Sequence, residues 1–412
     1  MKDCHIRSLV AGTPAIRIRT SKMVRIRSCV LMGTGIVSGA HGVVLLDAGD
    51  GNLDIDDTLC FSRSLGVKGA MPARAVSLTY DFTSVRIVNS YMDGTSGIFL
   101  HGENKANKST VEIRENRVRN IDGRFEDPTQ VDGVVHSNVW NGPTGVYGFA
   151  PSQFPLLQNV ISPNMYEVDD NDVLNEPGKS RVEDVINLYE STGSIGAPLA
   201  HRRNLFVGAY PYDWGFDPKS NTWLWGNNIP SQGSTAANQA IGRLDDARGL
   251  AFSGGGGLSG DGAATSGIVQ QYAVFDGSTL VNVFNYGHQI AGGKNASIVN
   301  CNIVNSGYVR GLPGIRSSHG EQPIQVIFYP SPASPDPSWW GGHQVLNDSC
   351  SSRWFSPFDS QWHEQNFFIT TTGVTVASIV NVPNASTMDE DKAIQAHRDA
   401  WVKANKLAGP RT

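Results

Sequence analysis

Along most of this chain apolar and polar residues alternate one by one in short runs, the period of a strand with one buried face. One word recurs: an apolar residue, any residue, a second apolar residue, two more residues, then Asn or a small side chain. It reads Val24-Arg-Ile-Arg-Ser-Cys29, Leu53-Asp-Ile-Asp-Asp-Thr58, Val85-Arg-Ile-Val-Asn-Ser90 and Val111-Glu-Ile-Arg-Glu-Asn116. It returns as Tyr166-Glu-Val-Asp-Asp-Asn171, Leu199-Ala-His-Arg-Arg-Asn204 and Ser297-Ile-Val-Asn-Cys-Asn302. The first six words start 29, 32, 26, 55 and 33 residues apart, the 55 reading as two turns of about 27. Periods of that size mark a solenoid, each repeat burying its apolar face on the next.

The last slot of the word suits a sharp bend, where Asn tolerates left-handed backbone and its amide reaches the next repeat. Stacking would turn that slot into a ladder. A second short strand precedes some words, as in Ala15-Ile-Arg-Ile18 and Gly97-Ile-Phe-Leu100. Helical spacing is sustained only from about Thr387 to Asn405, with Thr387 as its cap, and predicts a helix that covers a solenoid end or docks on it. The pattern therefore predicts an all-β parallel β-helix domain over 1–385, followed by a C-terminal helix and tail over 386–412. Two stretches interrupt the rhythm: about 205–262, with Tyr210, Trp214, Trp223 and Trp225, and about 310–342, with Trp339 and Trp340. Insertions in a repeat protein become loops over one face, and flat aromatic rings there stack on sugars or pack the loops down.

Composition narrows the partners. The chain has 412 residues, 40% hydrophobic and 17% charged, with 45 glycines, which suits many strands and tight turns. Its net charge of −5 argues against nucleic acid as a partner. No apolar run reaches the ~18 residues of a membrane span, and Met1 leads directly into a strand-like segment with no secretory leader. The five cysteines (Cys4, Cys29, Cys60, Cys301 and Cys350) have no zinc spacing and read as buried small residues, with a Cys4–Cys29 disulfide as the alternative. No phosphate loop, nucleophile elbow or HExxH helix is present.

The repeat resembles the right-handed parallel β-helix proteins of the pectate-lyase-like superfamily over nearly the whole chain. The blocks Asn175-Glu-Pro-Gly-Lys-Ser-Arg-Val-Glu-Asp184, Ile186-Asn-Leu-Tyr189, Gly208-Ala-Tyr-Pro211, Gly260-Asp-Gly262 and Ile290-Ala-Gly-Gly293 are similar to a bacterial branch of unassigned reaction. The resemblance implies an extracellular or cell-surface protein acting on an acidic polysaccharide in a lateral groove, by lyase- or hydrolase-type cleavage or by uronate epimerisation. The alternative it carries is a non-catalytic adhesin, structural protein or tailspike-type receptor-binding protein, the last a homotrimer.

Candidate chemistry concentrates in Asp169, Asp170, Asp172, Glu176, Lys179, Arg181, Glu183 and Asp184. Paired carboxylates beside a cation suit general acid–base work, or a Ca²⁺ site next to a basic side chain; solvated turn ion pairs are the plainer explanation. Arg181 is the expected clamp for a substrate carboxylate and Lys179 a substrate contact, with Glu183, Asp184, Asp261 or His288 as acid or base and Tyr286 beside His288. A weaker group is Arg124, Asp127, Asp132 and His136, and a fainter one Trp362, His363 and Glu364.

Overall fold

The computed structural model describes residues 1–36, 42–62, 70–102, 109–126, 152–210, 272–319, 340–356 and 373–406, less a few single positions. It also describes seven further strands: Val135–Asn138, Tyr147–Phe149, Phe216–Asp217, Thr222–Trp225, Gly256–Asp261, Ile324–Tyr329 and Gln361–Glu364. Three long sheets, here I, II and III, contain 10, 12 and 9 strands. Their pairing is parallel throughout except for one hairpin, Ser349–Ser356 with Gln361–Glu364, on sheet II. The chain visits the sheets in rotation: Ile16–Ile18 in III, Met23–Arg27 in I, Val30–Gly33 in II, then Gly42–Leu46 in III, Gly51–Asp56 in I and Leu59–Ser62 in II. Each circuit is one rung, and the arrangement is consistent with a parallel β-helix.

The recurring words are the strands of sheet I, in register. Val24 pairs with Leu53, Leu53 with Val85, Val85 with Val111, Val111 with Tyr166 and Tyr166 with Leu199. First and third positions point inward, and one core cluster, from Ile16 to Cys350, joins all three sheets. Two expectations are corrected. The 55-residue step is one rung, not two, because Thr110–Arg114 pairs directly with Met165–Asp169. The word placed at Ser297 begins one residue earlier, since Val274 pairs with Ser297 and Phe275 with Ile298; its final slot is Cys301. That offset also uncovers a word the alternation had missed, Ala273-Val-Phe-Asp-Gly-Ser278.

The corner between sheets I and II is always two residues. The first is left-handed: Ser28, Asp57, Asn89, Glu115, Asp170, Arg203, Asn300 and Asn347 have φ between 47° and 56°. Left-handed backbone thus falls one residue before the slot expected for it. The second corner residue points inward and forms the ladder. Asn171 Oδ1 accepts from the Asn116 backbone N–H (3.1 Å) and from Asn116 Nδ2 (3.0 Å), while its own Nδ2 donates to Asn204 Oδ1 (2.9 Å) and to the Ile113 carbonyl (3.0 Å). Ser90 joins the ladder through its N–H to Asn116 Oδ1 (3.0 Å), and the Asn204 N–H reaches Ser278 Oγ (3.2 Å). Every polar atom of a buried carboxamide is satisfied this way, so the ladder offsets the strain of a non-glycine left-handed residue in each rung.

The remaining faces differ. Outside sheet I, arginines and carboxylates of neighbouring rungs interlock: Asp54 takes Arg27 (2.6 Å) and Arg86 (2.8 Å), and Arg86 also reaches Glu112 (3.3 Å). Outside sheet II the alternation fails, with Leu205, Phe206 and Val207 all buried. The reason is helix α1 (Thr387–Lys403), whose Ile394 and Trp401 pack on Leu205, Val207, Val281 and Val304. The helix docks on the side of the stack and does not cover its end. Its cap is Ser386, not Thr387, in a reciprocal box with Asp389. Trp401 Nε1 and His397 Nε2 both donate to the Arg203 carbonyl, at 3.1 and 3.0 Å. Buried Glu390 accepts from Asn282 Nδ2 (3.0 Å) and the Ser306 N–H (2.7 Å). All five cysteines are free thiols; Cys4 is partly exposed and the other four are buried.

The ladder makes a test. Asn171→Ala leaves the Asn116 amide donors without an acceptor and should cost roughly 3 kcal/mol in denaturant unfolding. Asp348 stands in an asparagine slot, accepting from the Cys301 N–H (2.8 Å) while its Oδ2 has no hydrogen-bond partner. Burial, reinforced by nearby Asp276, pushes its carboxyl up to about 7, although the Cys301 N–H lowers it. From the unfolded value near 3.9 up to about 7, the folded chain keeps a proton that the unfolded chain loses. Stability therefore falls as pH rises through that window. Asp348→Asn should abolish that slope and raise stability above pH 7 by up to about 4 kcal/mol.

Candidate functional site on sheet III

A two-residue corner leaves no room for insertions between sheets I and II. The long interruptions lie at the other two corners, both of which border sheet III. Residues 120–152 lead from sheet II into Gln153–Gln158, and 210–255 lead into Gly256–Asp261. Residues 330–342 leave Ile324–Tyr329 for sheet I. Sheet I is covered by ion pairs and sheet II in part by helix α1. Sheet III is the lateral face flanked by inserted chain on both sides.

Its outer positions form two rows. One runs Phe99, Leu156, Asn187, Ser259, Gln289; the other runs His101, Gln158, Tyr189, Asp261, Ala291. Neighbours in a row stand about 4.8 Å apart, less than one sugar ring and its linkage. Between Phe99 and Gln289 neither row contains a lysine or arginine, and Asp261 is the one carboxylate position; toward the first rung the Phe99 row continues through Ser77 and Leu45 to Arg17, which pairs with Asp47 at 2.6 Å. Phe99, His101, Gln158, Tyr189 and Gln289 are half-buried, with one side toward solvent. The Phe99 and His101 rings are stacked, 6.0 Å between centroids and 12° from coplanar. Asn159 Nδ2 lies 3.2 Å from His101 Nε2, within hydrogen-bond reach. Buried Arg74 supports the platform from below, 5.8 Å from the Phe99 ring centre, while donating to the Ser96 carbonyl (2.7 Å) and to Gln153 Oε1 (3.0 Å).

The residues expected at the site fall in several places. Winding separates the acidic cluster over three faces. Asp169 and Asp170 end on sheet I, where Asp169 pairs with Arg202 (3.1 Å) and Asp170 with Arg203 (2.8 Å) and Lys406 (2.9 Å). Burial works against the Asp170 carboxylate, but the hydrogen bonds from Arg203 and Lys406 outweigh it and hold it low. Asp172 is on sheet II, paired with Arg119 (2.9 Å) and with Arg398 of the helix (3.3 Å). Glu176 and Lys179 pair with each other at 2.8 Å on the way to sheet III. Asp184 opens the sheet III strand Asp184–Tyr189, is buried, and accepts from Asn187 Nδ2 at 2.8 Å. Arg181 and Glu183 lie outside the described residues. Asp261 holds an outer-row register position beside Tyr189. Among the described residues no group of His, Cys, Asp or Glu is arranged to hold a metal ion, Ca²⁺ included.

His288 and Tyr210 are interior. His288 is fully buried, 5.7 Å from Phe275, in an internal aromatic stack that continues to His201 (5.4 Å) and Tyr166 (5.2 Å). Its imidazole is enclosed on the inner side of sheet III, opposite the outer rows. Tyr210 is likewise buried, its hydroxyl donating to Asn282 Oδ1 at 3.1 Å. Trp340 packs partly buried on the core and on His343, 4.3 Å between rings. Trp214 and Trp339 lie outside the described residues, as do Asp127 and Asp132. Trp223 and Trp225 stand on Thr222–Trp225, Arg124 on Arg124–Glu126, His136 on Val135–Asn138, and His363 and Glu364 on Gln361–Glu364, their side chains outside what is described. Trp362 stacks under the Arg353 guanidinium at 4.1 Å. Phe99, His101 and Tyr189 were not singled out from sequence, although Phe99 and His101 alternate with core Ile98 and Leu100 and so had to face outward.

Comparison of the chain with protein-family models, curated proteins and solved structures gives no match.

The buried histidines carry a prediction. Neither His201 nor His288 has a hydrogen-bond partner for its ring nitrogens, and burial pushes both down to about 3. The folded chain keeps them neutral while the unfolded chain protonates near 6.5, so stability falls as pH drops below that value, by roughly 3 kcal/mol per histidine at pH 4. His288→Phe should flatten acid unfolding measured by circular dichroism. An unchanged acid midpoint would mean that His288 is not sealed from solvent.

Proposed function

We propose that this chain is a right-handed parallel β-helix of the pectate-lyase-like type, acting at the cell surface or outside the cell, that binds polysaccharide along the outer face of sheet III. The observation that carries the proposal is the pair of outer rows with its aromatic platform, Phe99 on His101, next to Gln158 and Tyr189. Flat apolar ring faces cover the C–H face of a sugar, while amide and phenol groups exchange hydrogen bonds with its hydroxyls. A chain laid across the rungs would meet a similar row at each step, as suits a repeating polymer.

Cleavage or epimerisation of a uronate polymer would require a cation for the carboxylate and a base for the α-proton. Between Phe99 and Gln289 the rows contain no such cation, and Arg17, at the far end of the Phe99 row, is paired with Asp47. Arg181 and Lys179, at the approach to Asp184–Tyr189, are the groups proposed for that role, with Asp261 as the acid or base. The second reading, binding without turnover, is favoured by the scarcity of ionisable groups in the rows.

Titration calorimetry against uronate-containing and neutral polysaccharides tests the binding proposal. Phe99→Ala and Tyr189→Ala should each weaken binding about tenfold, and Arg86→Ala on sheet I should leave it unchanged. Equal effects from sheet I and sheet III variants would sink the proposal. For turnover, the ultraviolet absorbance of an unsaturated product and the release of reducing ends are the readouts. Arg181→Ala should lower such turnover about a hundredfold with its melting transition intact. Full activity in that variant would make Arg181 structural.

A further inference from the structure

The two ends of the stack are not alike. At the first rung the core is already closed: Ile26 is fully buried, with Ile18 and Ile16 at 3% and 9% exposure. There Met1–Asp3 lies across the strand Met23–Arg27, the Arg27 N–H reaching the Met1 carbonyl and the Asp3 N–H the Arg27 carbonyl, both at 3.1 Å. The exposed side chains around this rung include the cations Lys2, Arg7, Arg17, Arg19, Lys22 and Arg25 together with apolar Met1, Leu9, Val10 and Met23.

At the last rung the core row itself is open. Val376 follows Val345 in the inward row of sheet I, yet it is 46% exposed; on sheet II Val380, which follows Ser349 in the outward row, and Val382 beyond it are 56% and 46% exposed. Val374–Ala377 is the terminal strand of sheet I, bonded on one side only, and Val380–Asn381 pairs only with Ser349–Ser356. From Val374 to Val382 there is no ionisable side chain. The element that could have capped this end, helix α1, turns away at Ala385 to pack on sheet II. An apolar edge whose outer N–H and C=O groups pair with no described strand, and with none of the charges that usually guard such an edge, is a surface that accepts another strand.

We infer that the last rung docks on the last rung of a second copy, making a two-fold, tail-to-tail dimer. Neutral apolar surface meets its own kind, and the open strand Val374–Ala377 faces its symmetry mate. The first rung is the wrong occupant, since its sheet I edge is already paired with Met1–Asp3 and its exposed Arg7 and Lys22 would lose hydration against valines. An isologous contact also closes after two copies, where head-to-tail stacking would run on into a fibre. The end of a single stack is smaller than the ~800 Å² per partner of a standard interface, so a dissociation constant on the order of micromolar is expected.

Sedimentation over a wide concentration range, combined with small-angle scattering, tests this. Ten rungs span about 45 Å. The dimer should be reversible, with a maximum dimension nearly twice that of the monomer and no larger species. Val376→Lys and Val380→Lys should each weaken it by at least about tenfold with the circular dichroism spectrum unchanged, whereas Lys22→Glu should have no effect. Three outcomes overturn the inference: a monomer at every concentration, a dimer that survives both lysine substitutions, or a series of ever larger species abolished by Lys22→Glu. Val380→Lys keeps the test sound if Val376→Lys frays the last strand, because Val380 lies on the other sheet.

Discussion

The corner between sheets I and II governs the rest of the molecule. A left-handed residue followed by an inward carboxamide or hydroxyl turns the chain in two residues, and the inward group bonds to its equivalents in the rungs above and below. Backbone strain and side-chain ladder are coupled: the turn aims the amide, and the amide network repays the turn. Where the inward group is Asn116, Asn171 or Asn204, bonds on both sides tie the register of that rung to its neighbours. A one-residue slip would reverse the inward and outward rows of a strand, as well as break the ladder.

That constraint also decides where chain can be inserted. With the corner between sheets I and II closed to insertion, the long interruptions fall at the two corners that border sheet III. The other two faces are stabilised in different ways. Sheet I carries interlocked arginines and carboxylates, each pair only modestly stabilising near solvent but many in sequence. Sheet II gains a helix, and its outer residues change from polar to apolar where the helix lies, as at Leu205 and Val207.

The sheet I strands were readable because their period of two is strict and their corner residues are chemically narrow. The second and third strands of each rung were harder: Leu205-Phe-Val207 is apolar on both faces because of the helix, and Gly42–Leu46 is buried throughout. The 55-residue step was misread because an insertion inside one rung has the same length as an extra rung. The acidic cluster looked like a site because residues close in sequence are not close in function when the chain winds around three faces. Conversely, His101 and Tyr189 are far apart in sequence and joined only by register through Gln158. The burial of His288 was not legible because an aromatic stack can hold an unprotonated imidazole in the core, where alternation alone predicts an apolar residue.

The claim on which the account turns is that sheet III, and no other face, meets the polysaccharide. Hydroxyl-radical footprinting of side chains with and without bound polymer addresses it most directly. Ligand should protect Phe99, His101 and Tyr189 and leave Tyr91 on sheet II and Met388 on helix α1 as reactive as before. Protection of Tyr91 or Met388, with Phe99 and Tyr189 unchanged, would contradict it.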